Sequence, residues 1–262
     1  VYCLLIVCFL LFLALSTVYA LDFTFDTDNQ GWEGINVGKY GGAREGWGDY
    51  YPASWTAELA GKNGVIYQTG NDQPEDRPLW MGYRGDTAFL GDLTGKTLVF
   101  DVYSSGNWRT LAGDPPMLRF YIGNRFDDGT WNSWAAYSTV SVDLNSFTGW
   151  RTFSIELKEE NFFKWPNWQR SPDDTFADVL RNYDQIGFNL ASNTDDINCF
   201  NGGDCTWSDD NRLLHYGAIA AEGQEATWAL DNVRAVPEPS TLILLGGAGL
   251  IVLRLRRHLL RN

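Results

Sequence analysis

Histidine is nearly absent from this chain. Its 262 residues include only His215 and His258, so a cluster of imidazoles cannot form a metal site. A Ser-His-Asp triad would have to use His215, and no G-x-S-x-G elbow accompanies it. The sequence also lacks H-E-x-x-H, a phosphate-binding P-loop and a dinucleotide fingerprint. Positive charge is short as well: 20 Lys and Arg face 33 Asp and Glu, a formal charge of −13. Nucleic acid is therefore excluded as a partner, because phosphate binding needs a basic footprint. Two carboxylates set across a cleft would suffice for a glycosidase, and so many acids leave that option open. The expectation is nonetheless a protein that is not an enzyme.

Glycine and aromatics are plentiful, with 27 Gly, 12 Trp, 12 Tyr and 15 Phe. That mixture favours many short strands joined by turns over long helices. Charged residues make up 20% and hydrophobic ones 44%, enough apolar material for a globular core.

The two ends differ from the middle. Val1–Ala20 is apolar from Leu4 to Leu15, turns polar at Ser16-Thr17 and ends in Val18-Tyr19-Ala20, small residues at the −3 and −1 places. It reads as a secretory signal helix cleaved after Ala20, with an uncleaved anchor as the alternative. No initiator Met or basic stretch precedes it. At the other end, Leu242–Leu253 is apolar on every face and followed by Arg254, Arg256, Arg257 and Arg261. It would be ~18 Å long as a helix, short of a ~30 Å hydrocarbon core, and snorkelling arginines narrow the gap. The arginines keep to the cytoplasmic side, which places the rest of the chain outside.

The run Val236-Pro237-Glu238-Pro239-Ser240-Thr241, a short hydrophobic span with glycines and terminal arginines, in that order, is similar to the PEP-CTERM sorting signal. The resemblance implies recognition near Pro237-Glu238-Pro239 by an exosortase-type membrane peptidase, transient anchoring in the membrane, then sorting to the envelope or outside. A plain single-span membrane anchor is the alternative. Four of the 20 basic residues and one of the 33 acids lie in the tail; the 16 and 32 that remain give the exported part a formal charge of −16. Such a surface repels anionic lipid and acidic polysaccharide unless a divalent cation intervenes.

Three parts are therefore expected: a signal peptide over 1–20, one β domain over 21–235, and a sorting segment with a transmembrane helix over 236–262. Within the middle, strand-like runs fall at Asp22–Asp26, Val65–Gln68, Thr97–Tyr103, Met117–Ile122, Thr139–Val142, Trp150–Leu157, Gln185–Leu190, Leu214–Ala220 and Ala226–Val233. The alternation in Thr97–Tyr103 and Trp150–Leu157 is that of strands with one covered face. The fold class expected is all-β, a two-sheet β-sandwich or jelly roll. One short helix is expected at Thr175–Leu180, after Ser171-Pro172-Asp173-Asp174.

Pro78-Leu79-Trp80, Phe89-Leu90-Gly91-Asp92 leading into Leu98-Val99-Phe100-Asp101-Val102, and Leu230-Asp231-Asn232-Val233 resemble the core pattern of the laminin IV (laminin B) domain. That resemblance covers roughly 78–233 and implies an extracellular β-sandwich without catalysis. Tyr40–Tyr67, rich in Gly and aromatics, has no counterpart in it, and Asn182–Gln224 holds a Cys-containing acidic insertion that the family does not require.

Of the four cysteines, Cys3 and Cys8 leave with the signal peptide. Cys199 and Cys205 then read as a disulfide closing a short loop; two metal-binding thiolates are the alternative. No cofactor is required. Calcium is the ion the acids would take: Asp22, Asp26 and Asp231 would share a structural Ca2+ if first and last strands are neighbours. The plain alternative has Asp231 and Asn232 simply ending the last strand. Trp47, Tyr50, Trp131, Trp134, Trp165 and Trp168 sit in loop-like contexts where ring faces would stack on pyranoses, with burial for packing the even alternative. Trp80, Trp150 and Trp228 read as packing residues. The function expected is binding of extracellular polysaccharide, against a two-carboxylate hydrolase or a purely structural matrix protein.

Overall fold

The computed structural model describes residues 21–37, 50–73, 77–85, 90–111, 113–125, 131–164, 175–192 and 217–237. Within them lie fifteen strands: β1 (Asp22–Phe23), β2 (Trp32–Val37), β3 (Tyr51–Pro52), β4 (Ser54–Leu59), β5 (Lys62–Gly70), β6 (Arg77–Arg84), β7 (Lys96–Ser104), β8 (Trp108–Arg109), β9 (Pro116–Arg125), β10 (Trp131–Asp143), β11 (Gly149–Glu156), β12 (Phe162–Lys164), β13 (Gln185–Ser192), β14 (Ile219–Ala220) and β15 (Ala226–Pro237). One sheet has the order β11-β7-β15-β5-β4, with β1 also paired to β15. The other runs β12-β10-β9-β13-β6-β2-β3. The short pair β14-β8 stands apart, and every pairing is antiparallel. The described residues form an all-β two-sheet sandwich with one short α-helix.

Alternation decides which side chains meet between the sheets. From the six-stranded sheet Leu98, Phe100 and Val102 of β7 point inward with Trp228 and Leu230 of β15; from the seven-stranded sheet come Phe120 and Ile122 of β9 and Ile186 and Phe188 of β13. Phe188 is central: its ring centroid lies 4.6 Å from Phe100, 5.5 Å from Phe120 and 6.4 Å from Trp32. Phe23 of β1 meets Trp32 edge-on at 5.3 Å, which ties the first strand into the same core.

Local chemistry fixes two features that matter below. Leu59 pairs with Lys62 around Ala60 and Gly61, both at positive φ (50° and 84°), a two-residue turn whose twist suits a hairpin. Lys62 is thereby set rigidly at the start of β5. The helix α1 (Phe176–Asn182) begins at a capping box: Asp178 N–H donates to the Thr175 hydroxyl, and Thr175 N–H donates back to the Asp178 carboxylate. Phe176, Val179 and Leu180 bury its inner face. Thr175→Ala removes the cap and is expected to lower stability by about 1 kcal/mol, read by urea denaturation.

The ends of the described chain meet. Ala235 N–H donates to the Leu21 carbonyl at 2.9 Å, and Asp22 lies opposite Arg234. β15 continues to Pro237, opposite Lys96, two residues past the expected boundary at Ala235. Among the described residues no helix is long and apolar enough to cross a membrane. The signal segment Val1–Ala20 and the apolar run Leu242–Leu253 with Arg254, Arg256 and Arg257 lie outside the described residues.

Candidate functional site

The outward face of the seven-stranded sheet is unusual. Met81, Ile186, Phe188, Phe120 and Ile122 point into the inter-sheet core, so the residues between them point away from it. Register sorts those residues into three rows across the strands. One row is Arg84, Gln185 and Gly123. The next is Glu33, Gly82, Gly187 and Tyr121, and the third is Ile35, Trp80, Asn189 and Arg119. The middle row therefore has no side chain at two adjacent positions, which opens a trough across β6 and β13.

Trp80 fills the floor of this trough. A Cβ on Gly187 would come within 2.6 Å of Trp80 Nε1 and 2.7 Å of the Met81 carbonyl. A Cβ on Gly82 would press on Trp80 Cζ2 and the Ile186 carbonyl. The indole thus lies over both glycines, and only the missing side chains let it approach the backbone so closely. Tyr121 lies over Gly123 in the same way. Tyr50 packs edge-on against Trp80, with centroids 5.7 Å apart and planes at 87°. The Arg84 guanidinium stacks on the Tyr50 ring at 3.4 Å and pairs with Glu33 at 3.6 Å.

Polar side chains on the outside of a sandwich are ordinarily solvated. Here Arg119 and Asn189 are each only 2% exposed, and Gln185 and Trp80 are each 3% exposed. Gln185 Oε1 has no hydrogen-bond partner among the described residues. A buried acceptor without a donor is costly, and it marks a place where a donor from elsewhere would be stabilising.

The outward face of the six-stranded sheet carries a different cluster. Asp101 of β7 sits between Thr152 of β11 and Asp231 of β15. The Lys62 ammonium donates to Asp101 and, at 3.0 Å, to Asp231. Thr152 donates its hydroxyl to Asp101 at 2.5 Å. The Asn232 amide donates to Asp101 at 2.8 Å and to Asp231 at 2.9 Å. Burial works against the Asp101 carboxylate, but its donors Lys62, Thr152 and Asn232 prevail and hold its carboxyl below the usual value. At Asp231 burial prevails over Lys62, and the carboxyl is raised. Asn232 has φ of 51° at an irregularity in the β15–β7 register, which brings its amide beside both acids. Lys62 also lies 4.8 Å from the Trp150 ring centre, and Trp150 Nε1 donates to the Leu59 carbonyl at 3.1 Å.

These placements revise several expectations. β1 and β15 are neighbours, but Asp22 stands opposite Arg234 and Asp26 accepts from the Thr24 hydroxyl at 2.7 Å. Asp231 instead shares an ammonium with Asp101. Asp22, Asp26 and Asp231 are not brought together, and among the described residues no three Asp, Glu, His or Cys side chains form a metal-binding group. Trp228 is core, as expected. Trp80 is buried but faces away from the core. Trp150 is half-buried on the outer face, because Phe153 and Ile155 of the same strand point inward. Of the sugar-stacking candidates, Tyr50 joins the trough. Trp131 and Trp134 belong to β10, with side chains outside the described residues. Trp47, Trp165, Trp168, Cys199 and Cys205 lie outside the described residues too. The trough was missed because its members come from four strands far apart in sequence; the available signal was glycine inside strand runs, at Gly187 above all.

Residues 235–257 match the PEP-CTERM protein-sorting motif. The chain therefore carries a signal for export and sorting. Pro237 is the last residue of β15, and Glu238 and Pro239 follow directly. No curated protein matches the chain. Among solved structures, the family 11 carbohydrate-binding module of Clostridium thermocellum, in complex with a beta-1,3-1,4-mixed-linked tetrasaccharide, is similar at 14% identity and TM-score 0.37, over 79% of this chain and 96% of that one. The CBM22-1 xylan-binding domain of Paenibacillus barcinonensis Xyn10C is similar at 12% identity and TM-score 0.35, over 83% and 93%. The K1 cleaved adhesin domain of Lys-gingipain from Porphyromonas gingivalis W83 gives 12% and 0.36, over 83% and 98%. The sugars named for the first two belong to those proteins.

Proposed function

We propose that the protein is an exported, noncatalytic β-sandwich that binds extracellular polysaccharide through the trough on its seven-stranded sheet. The observation that carries this reading is the set of buried polar and aromatic side chains directed away from the core: Trp80 laid on Gly82 and Gly187, with Gln185, Asn189 and Arg119 beside it. Aromatic rings bind the apolar faces of pyranoses, and amides and guanidinium groups bind their hydroxyls. The laminin IV resemblance fits the same body, since the segments that carry it include β7 and part of β15.

In this reading an exosortase-type peptidase acts at the sorting motif after transient membrane anchoring and leaves the sandwich in the envelope or outside. The arrangement of the ends supports it. Leu21, next to the expected cleavage after Ala20, is hydrogen-bonded to Ala235, two residues before the motif's first proline. Both processing points thus flank one rung of the sheet, and removal of both flanking segments leaves the strands whole. Intact-mass measurement of the released protein is expected to show that residues 1–20 and the terminal segment after the motif are gone. A released protein that keeps its tail would refute the sorting step. Affinity electrophoresis in polysaccharide-containing gels tests the binding step, with retarded migration expected. Release of reducing ends from the polysaccharide would favour a hydrolase instead.

A further inference from the structure

We infer that the glycan taken by the trough is uncharged: a neutral, hydroxyl-rich polysaccharide that donates a hydroxyl to Gln185 Oε1 and lays one ring on the Trp80 indole in place of Tyr50. This rests on the polysaccharide-binding reading and narrows it to a substrate class. Gln185 Oε1 is one of the buried polar atoms of this face without a hydrogen-bond partner among the described residues, and as an amide oxygen it is an acceptor that a sugar hydroxyl satisfies and a carboxylate does not. Arg84, directly opposite Gln185 in the sheet, already has Glu33 as its counter-ion and Tyr50 as its stacking partner. The chain before Val236 carries a formal charge of −16, which disfavours a long polyanion at every approach. Among the described residues Tyr50 packs against the indole, and it is only half-buried, so its ring is the one a pyranose would displace.

The competing outcome is a uronate held by Arg119, and the experiment separates the two. The full chain, purified in detergent, is run through gels containing hydroxyethyl cellulose, galactomannan or xylan, and through gels containing polygalacturonate or alginate. Retardation by at least one neutral polymer is expected, with none by the polyuronates. Gln185→Leu is expected to weaken that retardation about tenfold, the loss of one neutral hydrogen bond that only the complex makes. Tyr50→Ala is expected to strengthen it several-fold, because the ring competing for the indole is gone. Circular dichroism melting of both variants within a few degrees of the parent ties the effects to the site. Retardation by polyuronates that Arg119→Gln abolishes would overturn the neutral class and leave polysaccharide binding standing. Neutral binding indifferent to both Gln185→Leu and Tyr50→Ala would overturn the placement in the trough. Failure to bind either class would overturn the polysaccharide reading as well.

Discussion

Gly187→Ala is expected to lower stability by about 3 kcal/mol and to abolish the glycan binding proposed for the trough. The added methyl would sit 2.6 Å from Trp80 Nε1 and 2.7 Å from the Met81 carbonyl. A flexible side chain could give way, but Met81 lies on the neighbouring strand, whose Gly82 pairs directly with Gly187. Relief therefore requires both that the indole leave its place and that β6 and β13 move apart. The second is opposed by the strands' own hydrogen bonds and by Phe188 beneath them, which is locked among Phe100, Phe120 and Trp32. Gly85→Ala is the matched control. Its Cβ would meet Tyr83 at 3.5 Å, an ordinary contact, so stability should change by less than about 0.5 kcal/mol. Urea denaturation measures both, and near-ultraviolet circular dichroism reports the displaced indole. A Gly187→Ala protein as stable as the control would mean that Trp80 does not lie on the glycine floor.

The same residues show why the trough could not be read from the chain. Thr97–Tyr103 and Trp150–Leu157 alternate because their sheet turns one face to the core and one to solvent or to the Lys62 cluster; a period of two survives in the sequence. β6 has no such period. Arg77 to Gly82 are all buried, and the segment contains Pro78 and a register irregularity against β2. With both faces covered, nothing in the order of residues separates inside from outside. β2 is interrupted by the same irregularity. Glycine 82 and glycine 187 become neighbours only through pairing of strands more than a hundred residues apart, a relation that one sequence does not display. Trp150 reads as a packing residue, although the period of its strand already points it the other way. Phe153 and Ile155 occupy the odd positions of its strand, so an even-numbered tryptophan had to face outward. The acids expected to share calcium do not form one group among the described residues, for a related reason. Adjacency of first and last strands was right, yet adjacency of strands does not place particular side chains together. The register put Arg234 opposite Asp22, and the turn at Ala60-Gly61 brought an ammonium to Asp231.

That ammonium predicts the second large effect. Lys62→Met keeps the stem that crosses the face of the six-stranded sheet and removes only the charge. Asp101 and Asp231 then confront each other on adjacent strands with a hydroxyl and an amide for company. Breaking a buried pair from one side costs about 3–5 kcal/mol when it is fully enclosed. The Lys62 side chain is 25% exposed, so solvent screening reduces the expected loss at neutral pH to about 2–3 kcal/mol. The loss should depend on pH with a definite sign. In the parent, Asp101 has a depressed carboxyl pKa, so its contribution is present above the unfolded value and disappears as pH falls through the folded one. Asp231 is raised, so it opposes folding once pH exceeds its unfolded value and is relieved by acid. Without Lys62 both carboxyls move up, since each is buried beside a like charge and has lost its cation. The folded variant therefore takes up protons that the folded parent does not, and the stability gap narrows as pH falls from 7 toward 4. Urea denaturation of parent and variant at both values measures the gap. A gap that stays constant or widens in acid would show that Lys62 acts through its packing on Trp150 and not through the two aspartates.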